Sequence, residues 1–113
     1  LRFGPDGMLW IGTDTSTPGR NLYASLGNNA LLAADTVTGE IRRFLTGPRG
    51  CEITGMTLTP DGRTAFLNIQ HPGEFNENRD GPRISTWPAG TEGARPRSAT
   101  IVITKDDDGL IGS

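Results

Sequence analysis

The chain is 113 residues long, carries a formal net charge of −2 and is 34% hydrophobic. That balance gives no electrostatic basis for a nucleic-acid or anionic-membrane partner. No apolar run approaches the ~20 residues needed to cross a bilayer, so neither nucleic acid nor membrane insertion is expected. The single cysteine, Cys51, excludes an internal disulfide framework.

The sequence starts without Met, inside a strand-like pattern and with no basic-then-apolar leader; it reads as a piece of a larger protein. Leu1 to Gly4 leads into Pro5-Asp6-Gly7 and then Met8 to Asp14. Pro presets φ for the first turn position and Gly accepts positive φ, so Pro-Asp-Gly between two apolar runs predicts a hairpin. Asp14 tops its second strand. Thr15 to Gly19 is a polar loop, and Arg20 to Asn29 has room for one short helical turn around Leu22, Tyr23 and Leu26. Ala30 to Asp35, a turn over Thr36 to Glu40, and Ile41 to Leu45 predict a second hairpin, with helix as the alternative for 30–35.

The most informative stretch runs from Gly50 to Glu74. Glu52 stands just before a strand, Pro60-Asp61-Gly62 makes the turn, and Gln70, His71 and Glu74 stand just after the returning strand. Antiparallel strands return to where they began, which gathers two carboxylates, an amide and an imidazole near one rim. Residues 75–99 have no period, and a structureless stretch of that length is usually functional or disordered. Ser98 to Thr104 is β-branched and apolar and predicts a buried strand. Lys105 to Gly109 ends it as solvated charge, lacking the alternating oxygen ligands of a calcium loop.

The segments Leu1–Ile11 and Met56–Phe66 repeat each other around Pro-Asp-Gly. A repeated turn-plus-strand unit is that of a β-propeller blade. The expectation is an all-β chain: about two blades plus a closing strand, with residues 1–113 forming part of a single propeller domain.

Several side chains are candidates for chemistry. Glu52 lies among glycines that permit close approach to a cation or substrate, or it is a solvated carboxylate at a strand start. Asp14 is a ligand candidate or a turn cap. His71 with Glu74 suits a metal site, a general acid or base, or a hydrogen-bonded corner. Cys51 reads as a small buried side chain. Arg95 and Arg97 flank a proline at a loop–strand junction, where a guanidinium fork can capture an oxyanion or pair with Glu52 or Glu74.

The segments Leu9-Trp10-Ile11-Gly12-Thr13-Asp14, Gly50-Cys51-Glu52-Ile53-Thr54-Gly55, Phe66 through Glu74 (with Asn-Ile-Gln-His-Pro-Gly-Glu the most specific string) and Pro96 through Ile103 resemble, in order, motifs of the C-terminal part of the PhoX-type alkaline phosphatases. The resemblance implies a six-bladed propeller, periplasmic or secreted, that hydrolyses phosphomonoesters with calcium and iron. It implies metal-ligand roles for Glu52 and Asp14 and a phosphate-holding role for Arg97; it gives none to His71 or Glu74. It also implies that the remaining blades lie upstream and that the piece alone is inactive. A calcium-dependent propeller lactonase shares the Pro-Asp-Gly-x-Leu-Trp pattern, and a non-catalytic propeller binding module is the reading from another class.

Overall fold

The computed structural model describes residues 1–15, 25, 27–74 and 81–113. Seven strands lie in this part of the chain: β1 (Arg2–Phe3), β2 (Leu9–Gly12), β3 (Ala30–Ala34), β4 (Ile41–Thr46), β5 (Glu52–Leu58), β6 (Thr64–Gln70) and β7 (Ala99–Thr104). They form two antiparallel sheets in sequence order, β1-β2-β3-β4 and β5-β6-β7. No helix occurs among the described residues.

The predicted turns form through their own side chains. In the first Pro-Asp-Gly turn, the Gly7 amide donates to Gly4 O at 3.1 Å and the Met8 amide to Asp6 Oδ1 at 3.1 Å. In the second, the Gly62 amide donates to Thr59 O at 2.9 Å, while Asp61 Oδ1 accepts from Thr59 Oγ1 at 2.6 Å and from the Arg63 amide at 3.1 Å. Gly62 has φ of 69°, the left-handed region that glycine enters without steric cost. Between β3 and β4, Asp35 Oδ1 accepts the amides of Val37 and Thr38 at 2.8 and 3.0 Å. These are side-chain-mimicked turns, which is why Asp recurs in them.

Residues 30–34 are strand and not helix. Their pairing with β2 on one side and β4 on the other overrides the helical preference of three alanines. β6 alternates cleanly, burying Ala65, Leu67 and Ile69 and exposing Phe66 and Asn68. With Trp10, Leu31, Cys51, Ile53 and Ile111 they fill the core, each large aliphatic contributing about 1.5–3 kcal/mol by burial. Trp10 meets Phe44 edge-on, ring centroids 4.9 Å apart, the geometry that aromatic quadrupoles favour.

β7 is not the buried strand its composition suggests. It lies at the edge of its sheet, and its burial alternates so that Val102 is 61% exposed. The helical turn anticipated around Leu22 falls outside the described residues. Of the period-free stretch, residues 81–98 contain no strand and are folded by turns such as Gly90 N to Thr86 O at 2.9 Å.

Candidate functional site

The meander sorts the chain into two rims. β2, β4 and β6 end at one rim, where β3, β5 and β7 begin; the three tight turns occupy the other. The sheets are joined at the first rim by the Ile53 amide donating to Thr13 O at 3.2 Å. That bond brings the end of β2, carrying Asp14, to the start of β5, carrying Glu52. Arg97 lies two residues before β7. All three residues therefore sit at one rim.

Glu52 is the first residue of β5, not the residue before it, and pairs with Gln70 across the ladder. Its side chain is half-buried, whereas Asp14 is exposed two residues past the end of β2. The Arg97 amide donates to Trp87 O at 3.1 Å, which fixes its backbone and leaves the side chain exposed. Pairing of Arg95 or Arg97 with Glu52 or Glu74 does not occur among the ion pairs of the described residues.

The Gln70–Glu74 corner is tightly built. The Gly73 amide donates to Arg49 O at 2.8 Å, and the Glu74 amide to Gly50 O at 3.2 Å. A Cβ on Gly50 would come within 3.1–3.2 Å of Glu74 N and the Gly73 backbone; with φ of 67° at Gly50, two constraints require glycine there. His71 has φ of 50°; its amide donates to Ser98 Oγ at 3.2 Å and its Nε2 lies 2.8 Å from Gln70 Nε2. His71, Pro72, Glu74, Pro96 and Ser98 line an open hollow of about 250 Å³.

By type and neighbours Asn29 is a turn-prone residue, yet it is 2% exposed and the most connected side chain at the rim. Its Oδ1 accepts from Thr13 Oγ1 at 3.0 Å, the Thr15 amide at 2.8 Å and Thr15 Oγ1 at 2.9 Å, while its Nδ2 donates to Cys51 O at 2.8 Å. A buried polar group far from any turn it could cap is found only with its partners in hand, and these lie 14–22 residues away in sequence.

No group of three or more His, Cys, Asp or Glu side chains is placed to hold a metal among the described residues. The donors offered at the rim are carboxylate oxygens, which suit hard cations. The Cys51 thiol is buried, and desolvation pushes its pKa up to about 11, so it is protonated at neutral pH. The chemistry of the carboxylates at this rim fits an oxygen-ligated metal.

Among family profiles, that of alkaline phosphatase PhoX matches residues 1–73. The chain belongs to the PhoX family. Among solved structures, Pseudomonas fluorescens PhoX in complex with vanadate, a transition state analogue, is similar at 46% sequence identity with a TM-score of 0.86. The match covers 99% of this chain and 18% of that one, so the chain spans under a fifth of its PhoX relative. No curated protein matches. PhoX membership agrees with the family resemblance drawn from the Leu9–Asp14, Gly50–Gly55, Phe66–Glu74 and Pro96–Ile103 segments.

Proposed function

We propose that the chain is the C-terminal part of a metal-dependent PhoX phosphomonoesterase built as a six-bladed propeller. In this reading its two sheets are blades, and the site-bearing rim faces the active centre. The observation that carries it is the 46% identity over 99% of the chain to a PhoX captured with vanadate. A phosphatase fold position is not a site by itself. What adds to the likeness is the placement of Asp14, Glu52 and Arg97 at the same rim of the meander.

Asp14 and Glu52 each present an anionic oxygen donor beside backbone that is fixed by hydrogen bonds. Calcium and iron are the metals this reading carries, and such cations, when bound, neutralise phosphate charge and lower the pKa of an attacking water. Arg97 supplies a planar fork matched to two oxygens of the phosphoryl group. Its backbone is held by the Arg97 amide donating to Trp87 O, which fixes the point at the rim from which the side chain starts. Periplasmic or secreted location belongs to the same proposal, as do upstream blades that complete the ligand set.

The test is hydrolysis of p-nitrophenyl phosphate by the full-length parent before and after chelation. Activity is expected to disappear with chelator and return with calcium and iron. A rate untouched by exhaustive chelation sinks the metal role.

A further inference from the structure

We propose that Asn29 is a positioning residue that sets the spacing of the two metal-binding carboxylates; the inference rests on reading Asp14 and Glu52 as ligands. Its amide reaches both carboxylate-bearing segments at once. On one side Oδ1 gathers the Thr13 hydroxyl, the Thr15 amide and the Thr15 hydroxyl, the residues that bracket Asp14. On the other Nδ2 holds the Cys51 carbonyl, whose peptide unit leads directly into Glu52. The orientation of the amide follows from its partners. An N–H on one side demands the oxygen there, and a carbonyl on the other demands the nitrogen.

The rest of the rim locks this clamp in place. The Ala30 amide donates to Thr13 Oγ1 at 2.8 Å, which leaves the Thr13 hydroxyl proton for Asn29. The Gly47 amide donates to Asn29 O at 2.8 Å, so the end of β4 buttresses the residue from behind. Asn29 is 2% exposed with all these bonds made. Buried networks of this kind rigidify when fully satisfied. Groups that orient metal ligands through hydrogen bonds change metal affinity by about 10- to 100-fold when removed.

The experiment uses the full-length parent loaded with metal and titrated with chelator, reading bound metal by elemental analysis alongside p-nitrophenyl phosphate turnover and thermal unfolding. Asn29→Asp keeps the acceptor facing Thr13 and Thr15 but sets an oxygen against the Cys51 carbonyl. It is expected to lower the chelator concentration at half-loss about 10-fold. Thr15→Val removes one bond with little change of shape, and is expected to lower it about threefold; it decides the matter if Asn29→Asp does not fold. Leu67→Ala, in the core and away from the rim, is the control and is expected to lower thermal stability with metal retention unchanged.

Wild-type retention in both rim variants, with loss in Glu52→Gln, overturns the positioning role and leaves the ligand reading standing. Wild-type retention in Glu52→Gln and Asp14→Asn as well overturns both. Equal loss in Leu67→Ala assigns the effect to general destabilisation and also overturns the role.

Discussion

The two rims of the molecule are built on different principles. At the turn rim each bend satisfies itself: Asp6, Asp35 and Asp61 accept amides two or three residues away. At the site rim the bonds are long-range, reaching from Thr13 to Ile53, Arg49 to Gly73, and Asn29 to Thr15 and Cys51. Local bonds make a turn wherever the sequence permits, whereas these long-range bonds need strands already paired. Those from Thr13 to Ile53 and from Asn29 to Cys51 need both sheets packed. The site rim therefore depends on the whole fold, whereas at the turn rim long-range bonds, such as Thr36 Oγ1 to Gly7 O and the Ile111 amide to Gly62 O, are added to bends already closed locally.

The sharpest way to separate them is Glu52→Gln in the full-length parent. It keeps the shape and removes the charge, and is expected to lower kcat/KM for p-nitrophenyl phosphate by on the order of 100-fold, with the unfolding midpoint nearly unchanged. A non-catalytic module predicts no change. Leu67→Ala does the reverse. Its side chain is fully buried in the shared core, and denaturant unfolding is expected to register about 2–5 kcal/mol of lost stability.

The turn rim yields to smaller changes. Gly62→Ala forces a side chain onto φ of 69° and is expected to cost about 1 kcal/mol in the same unfolding assay, with no effect on phosphate-ester turnover. The mildest contrast is with pH. The Thr38 and Val37 amides hold the Asp35 carboxyl below its ordinary value, and the Thr59 hydroxyl and Arg63 amide do so for Asp61. A carboxyl depressed in the folded state stabilises fully above its unfolded value, about pH 4, and loses that contribution as pH falls through the folded one. Thermal unfolding is thus expected to show a small acid-side loss beginning near pH 4, reduced in the Asp35→Asn, Asp61→Asn double variant, whose amides keep the acceptor oxygen.

The same contrast explains what can be read from the chain. Both Pro-Asp-Gly hairpins and the Asp35–Gly39 bend are legible because their causes lie within a few residues. The pairing of Glu52 with Gln70 follows from hairpin closure, which brings the Glu52 and His71 ends together whatever the other strands do. The Asn29 clamp is not legible, since nothing local distinguishes Asn28, half-buried, from Asn29 at the centre of the rim. Composition also misjudges β7. Thr100-Ile101-Val102-Ile103 has the β-branching of a central strand, and only topology reveals that one face and one edge are left open by the described residues. The roles proposed for Asp14, Glu52 and Arg97 come from family motifs, since no cluster of metal-capable side chains stands among the described residues.

Cys51 turns the buried rim into something that can be timed. Its thiol is sealed at 1% exposure beside the carbonyl that Asn29 holds, with its proton retained up to about pH 11. Alkylating reagents attack the thiolate, so in the closed rim this sulfur is silent, and each labelling event marks a moment when the β5 end has lifted away. The labelling rate of the Cys51 peptide, followed by mass spectrometry with and without metal, reports the population of the open rim, and becomes its opening rate once reagent is concentrated enough for labelling to outpace reclosing.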